Sequence, residues 1–207
     1  MTDLNDAFAL RSPEDCLRLY RDWSRDYDAG FAAGMDYRLP AHVAAAFMAA
    51  GGAGPVLDVG AGTGLLAEAL RGMGFPGEID GIDLTPEMLA RAGEKGVYRA
   101  LVEADVTRAL PLEGGYRGVV SSGTFTHGHV GPEAFGPMLA VAAPGALFAL
   151  SINAGVHAAR GFDVALAGME GITGLQLIEV EVYGPAAAAR DAAHAADRAL
   201  IALFRKV

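Results

Sequence analysis

The sequence predicts an α/β fold in which helices cover both faces of an open parallel sheet. Three observations carry that prediction. From Val56 onward, short apolar runs alternate with helix-forming segments. The first such junction, VLDVGAGTGLLAEAL (Val56 to Leu70), places three glycines at alternate positions between strand and helix. An aspartate then stands at the end of each of the first three strands: Asp58, Asp83 and Asp105.

Taken in order, Ser12-Pro13-Glu14-Asp15 opens a helix, with a capping serine, a first-turn proline and acids at the positive helix end. Cys16, Tyr20, Trp23 and Tyr27 fall on one face of it. Pro40 starts a second helix that stops at Gly51-Gly52. Val56 to Val59 is strand and Leu65 to Arg71 helix. Glu78 to Asp83 is strand; Thr85 caps, and Pro86 begins, a helix through Ala92. Tyr98 to Ala104 and Arg117 to Ser122 are strands, Pro132 to Val141 is helix, and Ala146 to Ile152 is strand. In the last third, Gln176 to Tyr183 and Leu200 to Arg205 read as strands. The alanine-rich stretch between them, Gly184 to Ala199, reads equally as a helix or as a long hairpin loop. A hairpin here puts one antiparallel strand at the sheet edge.

Composition narrows the function classes. The chain has 207 residues, enough for one domain with an ordinary core. Its net charge is −9 and its sixteen Lys and Arg are scattered, which argues against nucleic acid as a partner. No apolar run approaches the roughly 20 residues of a membrane span. The N-terminus lacks the basic and apolar regions of a signal peptide, so the cytoplasm is the expected location. Cys16 is the only cysteine, which excludes an internal disulfide and an all-cysteine metal site.

In an open parallel sheet a ligand lies beyond the carboxyl ends of the strands, where helix N-termini and bare main chain converge. Gly60, Gly62 and Gly64 let the chain bend there and let a ligand reach the backbone. The pattern is G-x-G-x-G, with Leu65 where a dinucleotide site has its third glycine. Asp58 suits a cationic group and sits poorly beside a pyrophosphate. Asp83 suits ribose hydroxyls, and Leu84 an adenine face. Asp105 suits an exocyclic amine, with the Val106 N–H beside it. The set fits a ligand with an ammonium group, a ribose and an adenine.

These residues resemble the motifs of class I S-adenosylmethionine-dependent methyltransferases of the small-molecule type. VLDVGAGTG is similar to that family's first motif, GIDLTPEMLARA to its second-strand motif, and VEADVTRALPLEGG to the one after the third strand. YRGVVSSGTFTHGHV resembles the fourth-strand motif, PGALFALSI the next turn and strand, and YRDWSRDYDAGFAAGMDYRLP a segment found before the first motif. The resemblance implies a Rossmann-like, seven-stranded, mostly parallel sheet with helices on both faces and one antiparallel strand from a late hairpin. It implies S-adenosylmethionine as cofactor, with S-adenosylhomocysteine as product. By position, Asp58, Gly60, Ala61, Gly62 and Gly64 surround the methionine part, Asp83 and Leu84 the ribose and adenine, Asp105 and Val106 the adenine, and Ser122 supplies backbone near the methionine end. Tyr27 or Tyr37 touches the cofactor from a lid, while Trp23 packs.

Methyl transfer from a sulfonium needs chiefly alignment and desolvation. A general base matters only where the acceptor must lose a proton, and His127, ahead of His129, is placed for it just past the fourth strand. Two histidines at i and i+2 with no clear third ligand do not make a metal site. The expected organisation is one domain: an N-terminal helical lid and substrate segment (1–50), a cofactor-binding core (51–152) and a substrate-side segment with the terminal hairpin (153–207). The expected acceptor is a small molecule, with a protein side chain as the alternative. A non-catalytic cofactor-binding module and a nicotinamide-dependent oxidoreductase are the other readings; the missing third glycine and the missing Tyr-x-x-x-Lys pair speak against the last.

Overall fold

Residues 13–24 and 27–207 are described by a computed structural model. The expected Ser12 cap and the side chains of Cys16 and Trp23 lie outside the described residues. Val56–Val59 (β1) is buried at every position, as a strand covered on both faces must be. Its burial is shared by nearly all of Ile79–Asp83 (β2), by residues 118–121 of Tyr116–Phe125 (β4) and by the second half of Ala142–Asn153 (β5). Ala100–Glu103 (β3) lies outermost on that side, and Ile172–Glu181 (β6) and Arg198–Lys206 (β7) complete seven strands in the order β3-β2-β1-β4-β5-β7-β6. β1 is parallel to β2 and β4, and β4 to β5, so chain order reverses direction between β1 and β4.

Helices cover both faces. Leu39–Ala49 (α2) and Leu65–Gly72 (α3) bring Val43, Phe47, Leu66 and Leu70 against Val56, Ile79 and Val120. On the other face Phe135–Val141 (α5) and Phe162–Ala167 (α7) bring Phe135, Met138, Phe162 and Leu166 against Leu57, Val119, Phe148 and Leu150. Pro13–Trp23 (α1), Pro86–Glu94 (α4), and the single turns Ala154–His157 (α6) and Ala187–Arg190 (α8) are the other α-helices among the described residues.

One open reading is settled and three local expectations change. The Gly184 to Ala199 stretch is a hairpin connection holding only the one-turn α8. Alanine propensity alone does not sustain a short isolated helix. Instead the hairpin is closed by the Val182 N–H donating to the Asp197 carbonyl and by Tyr183 and Ala199 packing together in a small cluster. The antiparallel strand, β7, is not at the edge. It sits between β5 and β6, because Ile201, Ala202, Leu203 and Phe204 are apolar on both faces while β6 alternates with polar residues and tolerates exposure. Tyr98 precedes β3 and its ring packs beside Gly64 and Gly81. Thr85 holds the N-cap position of α4 without a side-chain cap; the Asp83 carboxylate accepts the Thr85 N–H instead (2.8 Å).

Candidate active site

The carboxyl ends of β1, β2, β4 and β5 open into a cavity of about 620 Å³, within the range of small-molecule sites. It lies at the point where strand order reverses, as expected for an open sheet. Gly60, Ala61, Gly62, Asp83, Leu84, Asp105, Val106, Ser122, Tyr27 and His129 line it; Asp58, Gly64 and His127 do not.

The glycine turn presents bare main chain to this cavity. Gly60 and Gly62 have φ of +67° and +54°, a region that glycine enters without strain. Asp83 stands beneath the turn: its Oδ2 accepts the Gly62 N–H at 2.8 Å. Burial raises the Asp83 carboxyl above the usual range, and the main-chain donors of Thr85 and Gly62 oppose that rise. Asp105 accepts hydrogen bonds from the Thr107 N–H (2.9 Å) and hydroxyl (2.6 Å). Burial works to raise its carboxyl, but these bonds and nearby Arg108 win, so it lies below the usual range. Its Oδ1 is therefore already engaged on Thr107.

Asp58 departs most from the sequence reading. It is fully buried below the turn rather than on the cavity wall, and the Tyr98 hydroxyl donates to its Oδ2 at 2.7 Å. Its Oδ1 is buried without a hydrogen-bond partner among the described residues. Burial, reinforced by the charge of Asp83 and opposed by Tyr98, lifts its carboxyl to about 7. The folded state then holds a proton that the unfolded chain releases near pH 4. Stability from this group is full at low pH and is lost as pH rises through about 7. The contribution of this group to the melting temperature of ligand-free protein should therefore fall between about pH 4 and 7 and level off above that, and Asp58→Asn should flatten that fall in differential scanning calorimetry.

Beyond β4, the chain turns through Thr126 and Gly128 to His129. The His129 Nδ1 lies 2.6 Å from the His127 carbonyl oxygen, which makes Nδ1 the donor. Nε2 then carries the lone pair, and the Tyr20 hydroxyl donates to it at 2.9 Å. Burial lowers the His129 pKa, with Arg160 and His127 adding to the effect and the His127 carbonyl opposing it. His129, not the preferred His127, is the imidazole on the cavity wall; the His127 ring packs near Gly155. A turn after a strand exposes alternate residues to different sides, and nothing in Thr-His-Gly-His says which histidine faces in.

Five aromatic rings, Tyr20, Tyr27, Phe31, Tyr37 and Tyr183, form the outer wall, with neighbouring centroids 5.2–6.4 Å apart. Tyr27 and Tyr37 both line the cavity. Burial raises the Tyr27 and Tyr183 hydroxyls and pushes Tyr37 up to about 12, so none of these phenols is a base near neutral pH. Asp28 ties this segment to the glycine turn: it accepts from the Thr63 hydroxyl and pairs with Lys95 at 2.6 Å. Tyr20, Arg160, Tyr183 and Asp197 also line the cavity, and sequence reasoning did not name them as site residues. Tyr183 and Asp197 come from the hairpin ends, and only the pairing of β7 with β5 and β6 reveals that these lie at the cavity end of the sheet. Among the described residues no group of three or more His, Cys, Asp or Glu is placed to hold a metal ion, and no helix is long and apolar enough to cross a membrane.

Known proteins resemble this chain both in sequence and in fold. A methyltransferase domain family matches residues 56–145. Methyltransferase-like protein 27 of Homo sapiens is 35% identical over 142 residues, covering 65% of this chain and 56% of that protein. The matched region thus spans little more than half the length of this curated relative. Among solved structures, DhpI in its SAH complex superposes with a TM-score of 0.64 at 20% identity, over 94% of this chain and 96% of that one. The [4+2]-cyclase SpnF superposes with a TM-score of 0.67 at 17% identity, over 95% and 97%. At these identities both likenesses are of fold, and the second shows that the fold hosts other chemistry.

Proposed function

We propose that this chain is a class I S-adenosylmethionine-dependent methyltransferase that transfers a methyl group to a small-molecule acceptor by in-line displacement, a reading supported by the methyltransferase domain match over residues 56–145 and by the 35% identical relative. The observation that carries the reading is the glycine turn with Asp83 under it, at the switch point of the sheet and at the mouth of a cavity of about 620 Å³. The residues present fit the nucleoside. Main chain at Gly60, Ala61 and Gly62 receives the methionine part, Asp83 the ribose hydroxyls, Leu84 and Val106 the adenine faces, and Asp105 the exocyclic amine. Asp58 is buried behind the turn, and among the described residues its Oδ1 has no hydrogen-bond partner. Ser122 contributes main chain and Tyr27 closes the outer side.

Bound there, S-adenosylmethionine supplies an activated methyl group. The chain's own residues then position the acceptor, exclude water and take up its proton. His129 is the base: its Nε2 lone pair faces the cavity once an acceptor hydroxyl or amine replaces the Tyr20 hydroxyl. The aromatic wall excludes water from the transfer path. Protein side-chain methylation is the alternative, but a cavity walled by five aromatic rings and closed by the Asp28 ties favours a small acceptor.

Isothermal titration with S-adenosylhomocysteine tests the cofactor assignment. Asp83→Ala should weaken binding by about 1–3 kcal/mol through the lost ribose hydrogen bonds. Unchanged affinity overturns the role given to Asp83.

A further inference from the structure

Among the described residues, four carboxylates line the cavity: Asp83, Asp105, Glu133 and Asp197. Three are engaged within the protein. Asp83 accepts from Gly62 and Thr85, Asp105 from Thr107, and Glu133 from the Gly131 N–H at 2.9 Å. The Asp197 carboxylate has no hydrogen bond or ion pair among the described residues. Nearby Asp191 is paired with His194 at 2.7 Å.

Position separates Asp197 from the cofactor cradle. It immediately precedes β7, whose Ala199 pairs with Asn153 at the end of β5. β7 is three strand positions from β1, about 14 Å at ordinary strand spacing. It is two positions, about 10 Å, from the β4 end that leads to His129. Tyr183, from the same hairpin end, and Tyr37, which bridges to it, bring electron-rich rings to this side. Arg160, the one Lys or Arg on the cavity wall among the described residues, has its Nη1 donating to the Thr126 and His129 carbonyls on the β4 side.

We propose that the methyl acceptor carries a protonated amine, held by the Asp197 carboxylate and the faces of Tyr37 and Tyr183, with its methyl-accepting atom some 10 Å away at His129. The inference rests on the methyl-transfer reading and adds the acceptor's charge and span to it. A neutral or anionic acceptor leaves Asp197 desolvated without compensation. Burial raises the Asp197 carboxyl, with His194 and His127 opposing and Asp191 reinforcing, which is the state an incoming cation relieves. The ammonium is thus a recognition group and not the nucleophile.

Calorimetry tests this on protein saturated with S-adenosylhomocysteine. Tyramine, histamine and agmatine are titrated beside their N-acetyl derivatives, which keep the remainder of each molecule but lose the amine charge at the acetylated nitrogen. At least one amine should bind tenfold or more tightly than its acetylated partner. Asp197→Asn should erase that preference, Asp197→Glu should retain it, and S-adenosylhomocysteine should bind all three proteins alike. The proposal is overturned if no amine is preferred, or if the preference survives in Asp197→Asn. It is equally overturned if Asp197→Asn weakens S-adenosylhomocysteine, since the carboxylate then belongs to the cofactor. Failure of wild-type protein to bind S-adenosylhomocysteine strikes the methyl-transfer reading itself, and this inference with it.

Discussion

Gly62→Ala should leave a folded protein that binds S-adenosylhomocysteine at least tenfold more weakly, whereas Gly60→Ala should lose both binding and stability. The two glycines occupy the same turn with similar positive φ, but their surroundings differ. A Cβ on Gly62 meets no atom within 4 Å, so only the backbone conformation opposes it, at about 1–2 kcal/mol. For a chain of this length that is a drop of roughly 2–8 °C in melting temperature. The open space beside Gly62 is cavity, and a methyl group there stands where a ligand approaches the main chain. A Cβ on Gly60 instead overlaps the Thr124 side chain. Thr124 cannot step aside freely: its hydroxyl donates to the Val59 carbonyl at 3.1 Å and accepts from Ser121 at 2.9 Å. Overpacking adds about 1–3 kcal/mol to the backbone strain. A thermal melt and a titration on each variant separate the two causes. Tight binding by Gly62→Ala overturns the placement of ligand against this turn.

The turn was legible because glycine at alternate positions directly after a short strand-forming run has few structural uses. Helix starts at Pro13, Pro40 and Pro86 were legible for an equally local reason, the restricted φ of proline. What was not legible depends on contacts distant in sequence. Tyr98 reads as the first residue of a strand until Asp58, forty residues earlier, takes its hydroxyl. Asp58 reads as a ligand residue until the fold buries it off the cavity wall. The order of β6 and β7 turns on which strand better tolerates solvent, a comparison between two elements that neither reveals alone. Asp197 sits in an alanine-rich hairpin whose composition carries no hint of a site. Its place is set only by the antiparallel register that puts Ala199 beside Asn153.

His129→Ala should lower kcat by about 10²–10⁴-fold, the usual contribution of a positioned base, while leaving S-adenosylhomocysteine affinity unchanged. Geometry already sets the tautomer: the His127 carbonyl takes the Nδ1 proton, and Nε2 is left as the only acceptor. The pH dependence has a definite sign. Burial, Arg160 and His127 hold the His129 pKa below its ordinary 6.5. The active, neutral form therefore dominates at neutral pH, and kcat/KM should climb with a midpoint below 6.5 and then level off. The same shift makes the protonated imidazole costly in the folded state, so the stability it confers is full above about 6.5 and declines as pH falls through and below that value. Tyr20→Phe removes the hydroxyl that occupies Nε2 but keeps the imidazole, and the acidic midpoint should persist in it. Loss of the midpoint in Tyr20→Phe, or its survival in His129→Ala, assigns the titration to another group. A kcat unchanged in His129→Ala overturns the base role and leaves alignment and desolvation to account for the rate, which the sulfonium's intrinsic reactivity permits.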